Sequence, residues 1–368
     1  MVVAATTTTT PKPKGYALPA PRYAREAFVA STASEALRKL SKHGVAVVPG
    51  LLDKEEWVRR TRAGVLEGLE AAFPGFRRDD ASTWRLLRDH GAKHAQLLQE
   101  HGLGWMQAAV DVRQHPAVAG FFAALWEERL SLANPGAGIK VTDMDLFSSA
   151  DAVSVYLNTP DSKGGFHREG HDWLHWDRSP SDAKCWSVQG FVHLSGDTVE
   201  GGAAFQCLTR THRLQEGFAA RFPETRSKRF HLLEGQAQAD FFLAGAKVEH
   251  VCVAARTGDL VLWDSRTIHC GRAAGRASQK KVPKRMVVYV SMQPKRFASR
   301  RDVELKRRAH AQLRCTSHNA ASGVELFAKY PRVRCARDEA LRRAARPVAA
   351  APRLTALGRS LFALAAGQ

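Results

Sequence analysis

Residues 166–177 read Phe-His-Arg-Glu-Gly-His-Asp-Trp-Leu-His-Trp-Asp, and the last three of them, His175-Trp176-Asp177, decide the fold. On a strand, positions i and i+2 point to the same face. An imidazole and a carboxylate on one face are two of the three ligands of a 2-His-1-carboxylate triad, which leaves open positions on non-haem Fe(II). The reading therefore requires a second histidine, remote in sequence, on a neighbouring strand. Residues 258–269, Gly-Asp-Leu-Val-Leu-Trp-Asp-Ser-Arg-Thr-Ile-His, supply it: a turn, an apolar strand and then His269, 94 positions after His175. Arg285 follows at the head of a further apolar run, Arg285-Met286-Val287-Val288-Tyr289-Val290.

In this arrangement the chain resembles the Fe(II)/2-oxoglutarate-dependent dioxygenases, specifically their phytanoyl-CoA dioxygenase-like branch. The matching pieces are the His-x-Asp at His175 and Asp177, the run ending in His269, and the arginine opening the next strand. Between them, residues 188–194 followed by Glu200-Gly201-Gly202-Ala203 look like the family's strand, loop and Gly-Gly turn. The resemblance is strongest over residues 141–292. It implies an α+β fold: a double-stranded β-helix, of jelly-roll or cupin-like form, with N-terminal helices on its larger sheet. It also implies Fe(II) held by His175, Asp177 and His269, 2-oxoglutarate as cosubstrate and O2 as oxidant, with ascorbate as an auxiliary reductant. Decarboxylation of 2-oxoglutarate to succinate and CO2 would then accompany hydroxylation of a small-molecule or lipid-like substrate. In related halogenases a small residue replaces the carboxylate; Asp177 is present here, which favours hydroxylation.

Several residue types remain in competition at the site. His167-Arg168-Glu169 is a rival His-x-Glu; the pair 175/177 is preferred because it directly precedes the loop to the Val188 strand. Phe166, His167, Arg168 and His171 would then line the mouth. Arg285 is the candidate for the distal 2-oxoglutarate carboxylate, because a guanidinium fork pairs two carboxylate oxygens. Arg272, Arg276 and Lys284 are its rivals, but Arg285 alone opens an apolar strand. Asn158 and Gln189 are candidates beside the cosubstrate. Trp176 and Trp186 are candidates beside the substrate, with ordinary strand filling the competing explanation. His193 and His212 read as structural. His90 and His94, four apart on an expected helix, read as solvated for want of a third ligand.

The 368 residues carry 55 Lys and Arg against 36 Asp and Glu, a net charge of +19. Almost all of the excess lies in residues 272–368, with 23 basic and 5 acidic groups. That end reads either as a solvated basic face or as a surface for nucleic acid, an anionic thioester or a membrane. Six cysteines without a CxxC pair read as reduced thiols in an intracellular protein. No apolar run reaches 18 residues, so no transmembrane helix is expected. A cytoplasmic location follows most directly, with organellar or nuclear placement as alternatives; the oligomeric state is not encoded legibly. Residues 1–24, rich in Thr and Pro, read as a disordered leader, with a cleaved transit peptide as the alternative.

Residues 25–139 read as a helical region. It opens with a capping box at Thr32 and Glu35 and a stop at Gly44, framing a helix over 33–43. Helices are also expected over 84–98, 104–112 and 118–132. Residues 140–295 switch to short strands between turns, as in a jelly roll. Residues 296–368 form a basic extension with helices near 301–313 and 336–346. A catalytically silent jelly-roll binding protein is the alternative of a different class, as is an oxygenase acting on nucleic acid or a protein partner through the basic end.

Overall fold

The computed structural model describes residues 15–52, 55–84, 86–87, 97–157, 173–178, 187–227, 230–245, 247–274, 285–331 and 336–364. Its strands, in chain order, are β1 (Arg22–Ala24), β2 (Val45–Val48), β3 (Leu97–Leu98), β4 (Leu146–Ser148), β5 (Val153–Tyr156), β6 (His175–Trp176), β7 (Val188–His193), β8 (Ala204–Leu208), β9 (His231–Leu232), β10 (His250–Val253), β11 (Leu260–Asp264), β12 (Ile268–Arg272) and β13 (Arg285–Pro294). They build two sheets. One has six strands in the order β1-β10-β8-β12-β6-β9; the other has seven, β2-β11-β7-β13-β5-β3, with β4 paired to β13. Pairing is antiparallel throughout except between β1 and β10.

Period-2 alternation sorts each strand between two interiors. On β7, β11 and β13, Val192, Leu260, Leu262, Met286, Val288 and Val290 face one way. They share an apolar cluster with Leu40 of the helix Ala33–His43, Val65 and Leu69 of the helix Glu55–Ala72, and Phe122 and Trp126 of the helix Pro116–Ala133. The alternate residues Phe191, Val261, Trp263 and Val287 face the other way, against Phe205, Cys207, Val251 and Val253 of the six-stranded sheet. These strands are buried on both faces, which is why they read as nearly continuous apolar runs. Truncating Phe122, fully buried in the helix–sheet cluster, to alanine is expected to cost about 3–5 kcal/mol, checked by urea unfolding.

Local signals place the first helix as expected. Thr32 Oγ1 accepts from Glu35 N, Glu35 accepts from Ser31 N, and Gly44 ends the helix at φ +80°. A Cβ at Gly44 would collide with Thr267 and His212, so glycine is needed for space as well as for backbone angle. His212 completes this corner by bonding Ser41 O through Nε2 at 3.1 Å.

Two expectations are corrected. Arg22–Ala24, read as the end of a disordered leader, form β1, and Tyr16 and Leu18 before them pack against the outer face of the six-stranded sheet. Leu97–Leu98, read as the end of a helix, form β3, which pairs with Val153 and Ser154; ladder pairing and burial of Leu98 override helix propensity there. His90 and His94 lie outside the described residues.

In the C-terminal region, Ser299 and Asp302 cap the helix Arg300–Gln312 reciprocally. That helix exposes Arg300, Arg301, Arg307 and Arg308 but buries Lys306. Lys306 Nζ donates to Ser148 O at 2.6 Å, on β4, and burial pushes its pKa down to about 7. The helices Ala336–Ala344 and Ala356–Leu361 follow, and Phe362 packs on Trp105 at 4.8 Å. Cys207, Cys252, Cys270 and Cys315 are buried in the interior and form no disulfide among the described residues; Cys185 and Cys335 lie outside them. Among the described residues, no helix is long and apolar enough to cross a membrane.

Candidate active site

His175 and His269, 94 residues apart, are direct register partners on the antiparallel strands β6 and β12. Asp177, two positions beyond His175, returns to the same face. Its Oδ1 lies 3.6 Å from His175 Nε2, and its Oδ2 lies 3.3 Å from His269 Nε2. The three side-chain donor atoms lie within 4.8 Å of one another, the composition and spacing of a 2-His-1-carboxylate metal centre.

The hydrogen bonds around the triad fix its tautomers. His175 Nδ1 is 3.0 Å from Trp173 O, and His269 Nδ1 is 2.8 Å from Thr267 O. A carbonyl can only accept, so Nδ1 carries a proton on both rings and each Nε2 is turned to the Asp177 carboxylate. Two imidazole Nε2 atoms and a carboxylate then converge, an arrangement that a cation between them stabilises. Burial alone would raise the Asp177 carboxyl, yet the imidazoles of His318, His175 and His269 hold it well below the usual carboxylate range. Gln189 on β7 orients it by donating from Nε2 to Oδ2 at 3.1 Å.

Trp173 stacks on His175 at 4.5 Å and 16°, and donates from Nε1 to Gly271 O at 2.9 Å. Phe205 and Trp263 flank His269 at 5.5 and 5.1 Å. The triad opens into a cavity of about 280 Å³, whose lining also includes Gln189, Tyr289, Phe230 and Phe327.

Arg285 opens β13 opposite Tyr156 and is 2% exposed. Its guanidinium stacks on Tyr156 at 5.1 Å and Phe191 at 4.8 Å. Neither terminal nitrogen has a hydrogen-bond partner among the described residues. Its face of β13 is that of Val287 and Tyr289, toward the space between the sheets, and Phe191 links it through Trp263 to His269. A buried cation left without an anion costs several kcal/mol. Arg285 is not itself among the cavity-lining residues, but its unanswered fork fits the carboxylate of a ligand. Arg272, one of its rivals, instead reaches Gln206 Oε1 at 3.3 Å; Arg276 and Lys284 lie outside the described residues.

Behind Arg285, His193 is 1% exposed and its Nε2 donates to Gly196 O at 3.0 Å. Burial, reinforced by the Arg285 charge, lowers its pKa to about 4. The folded state therefore binds this proton less tightly than the unfolded chain, with its ordinary value near 6.5. The stability linked to His193 is complete above that pH and is lost as pH falls towards 4. The thermal midpoint of the metal-free protein should drop across this window, and His193→Gln should flatten the drop; parallel wild-type and variant profiles would contradict it.

Of the other expected site residues, Trp176 is corrected. It points to the opposite face of β6, packing on His231 at 4.6 Å and Phe218 at 5.1 Å, and does not line the cavity. The alternation that brings His175 inward sends Trp176 outward. Asn158, Phe166, His167, Arg168, His171, Glu169 and Trp186 lie outside the described residues. Trp173, two positions before His175, and Tyr289, four positions after Arg285 on β13, were missed although both sit at even spacing from a named site residue. So were Asp151, Ser317, His318, Asn319, Glu325 and Phe327, which line the cavity and carry no such spacing.

No family model matches the sequence. A curated relative, Ava biosynthesis cluster protein O of Aspergillus versicolor, is 26% identical over 258 residues, 66% of this chain and 72% of the relative. Among solved structures the chain is similar to SnoN, a non-heme alpha ketoglutarate dependent epimerase from nogalamycin biosynthesis. The identity is 15% and the TM-score 0.38, covering 71% of this chain and 83% of that one. It is similar also to the carbocyclase SnoK of the same biosynthesis, with 15% identity, a TM-score of 0.40, and 72% and 86% covered. EvdMO1 is 14% identical at a TM-score of 0.41, with 71% and 49% covered. These are distant likenesses, and the functional assignment rests on the site's own geometry.

Proposed function

We propose that this chain is an Fe(II)- and 2-oxoglutarate-dependent dioxygenase that hydroxylates a small organic molecule. The observation that carries the reading is the convergence of His175, Asp177 and His269 within 4.8 Å on facing strands, with the unanswered Arg285 guanidinium buried between the same sheets. His175, Asp177 and His269 would hold the iron. Arg285 would take the distal carboxylate of 2-oxoglutarate, and Gln189 would hold Asp177 in register. When bound, iron and 2-oxoglutarate would activate O2 to cleave a C–H bond, one oxygen atom going to the substrate and the other to succinate, with CO2 released. The chain's own part is to fix the ligand geometry, present the cosubstrate fork and exclude bulk water with Trp173, Phe205 and Trp263. Asp177 occupies the carboxylate position, which supports hydroxylation over halide transfer.

The order of His175, Asp177, His269 and Arg285 along the chain supports placement in the phytanoyl-CoA dioxygenase-like branch. Residues 25–139 would then be the helical support, 140–295 the catalytic core, and 296–368 an extension completing the cavity. The curated relative's name, a biosynthesis cluster protein, supports a small biosynthetic intermediate as substrate. The aromatic lining and the volume of about 280 Å³ favour a small molecule over a polymer. The test is succinate release by the purified chain with Fe(II), 2-oxoglutarate, ascorbate and O2. Turnover that requires all of Fe(II), 2-oxoglutarate and O2 supports the assignment; an iron-loaded protein that forms no succinate with any substrate offered contradicts it.

A further inference from the structure

The loop at residues 315–327 is built as rigidly as the sheets it leans on. An antiparallel bridge joins Thr316 to Leu326, and Phe327 N donates to Cys315 O at 2.9 Å. Thr316 exchanges two hydrogen bonds with Ala150, at 3.0 and 2.9 Å. Asp302 Oδ1 receives Gly323 N and Val324 N at 3.1 and 2.9 Å, and Gln293 Oε1 receives Ala321 N at 2.9 Å. Arg178, next to the triad's Asp177, donates to Asn319 Oδ1 at 3.0 Å. A segment tied on every side to the core presents its remaining groups at fixed positions.

Those remaining groups face the metal-site cavity. Ser317, His318, Asn319, Glu325 and Phe327 all line it. Ser317 is 4% exposed, and its Oγ is buried with no hydrogen-bond partner among the described residues; the same holds for His318 Nε2. Buried hydroxyls and imidazole nitrogens are normally satisfied, so two orphans side by side on a cavity wall mark where a ligand's polar groups belong. The rest of the lining sets the ligand's character. Trp173, Phe230 and Phe327 offer aromatic faces, and Asp151 and Glu325 contribute carboxylates. No Lys or Arg is among the described lining residues, despite the chain's net charge of +19.

We infer that residues 315–327 are the substrate-recognition wall. In this assignment Ser317 Oγ and His318 Nε2 hydrogen-bond a neutral, planar, hydroxyl-bearing molecule clamped between aromatic side chains, and an anionic substrate is rejected. This rests on the cavity being the substrate site of the proposed dioxygenase and narrows that substrate's class. It also gives the basic extension a role: its helix anchors the wall, and its charge stays outside.

The test uses a matched pair of probes, 2,6-dihydroxynaphthalene and naphthalene-2,6-dicarboxylate, titrated by quenching of the tryptophan fluorescence of the full chain with Fe(II) and 2-oxoglutarate under anaerobic conditions. The diol should bind the wild type at least about tenfold more tightly than the dianion. Ser317→Ala should weaken the diol about tenfold while leaving iron content and 2-oxoglutarate affinity unchanged, and His318→Leu should weaken the diol by a similar factor. Ser317→Cys, nearly the same size, should weaken it too with an unaltered thermal midpoint. The inference is overturned if the wild type takes up no diol, if the dianion binds as well as the diol, or if the variants bind the diol like the wild type. Loss of iron or 2-oxoglutarate binding in the wild type would instead count against the dioxygenase reading, and the diol titration can be repeated without either.

Discussion

Replacing His269 with alanine is expected to leave a folded protein that no longer retains iron, with affinity reduced at least about 100-fold and succinate formation reduced to background. The magnitude follows from a graded comparison. Groups that merely orient a metal ligand typically change affinity by about 10–100-fold when removed, so removing a ligand itself must exceed that range. His269 and His175 are register partners, and Asp177 reaches both imidazoles; His175→Ala and Asp177→Ala should therefore match His269→Ala. Gln189→Ala, which deletes only the 3.1 Å bond to Asp177, should fall inside the lower range. Metal analysis of gel-filtered protein separates these cases. Full iron occupancy in any of the three ligand variants would remove that residue from the centre.

Arg285→Met is expected to produce an unusual pair of effects. The cosubstrate-free protein should be at least as stable as the wild type, because the change removes a buried charge with no hydrogen-bond partner among the described residues and fills its place with an apolar chain. Affinity for 2-oxoglutarate should nevertheless fall about 30-fold or more, the range for losing one side of a buried charge pair. The rise in thermal midpoint that saturating 2-oxoglutarate gives the wild type should disappear with it. The planar guanidinium fork matters beyond charge, so Arg285→Lys should recover only part of the affinity. Unchanged 2-oxoglutarate binding in Arg285→Met would place the cosubstrate elsewhere.

The triad was legible in the sequence because its ingredients are local: two ligands share a strand face at i and i+2, and the third ends an apolar strand whose pattern is plain. Arg285 was legible for the same reason, as the cation that opens an apolar run. Strands β7, β11 and β13 fall on the apolar runs read from the sequence at residues 188–194, 258–269 and 285–290. What failed was of another kind. Trp176 was assigned to the site by proximity in sequence, whereas the pleat sends it to the outer cluster. The strands Arg22–Ala24 and Leu97–Leu98 are short pieces whose conformation comes from the partner strand. The wall at residues 315–327 has no period at all; its position comes from long-range bonds to Ala150, Arg178, Gln293 and Asp302, and only the folded chain shows that its polar groups meet the cavity.

The account turns on one ferrous ion held by His175, Asp177 and His269 with 2-oxoglutarate reaching back to Arg285. Anaerobic titration of the purified chain with Fe(II) and then 2-oxoglutarate, followed by visible absorption, tests this most directly. The predicted result is one iron per chain and a new charge-transfer band on addition of 2-oxoglutarate, absent from the His269→Ala protein. A wild-type protein that binds no iron, or binds it without any spectral response to 2-oxoglutarate, would contradict it.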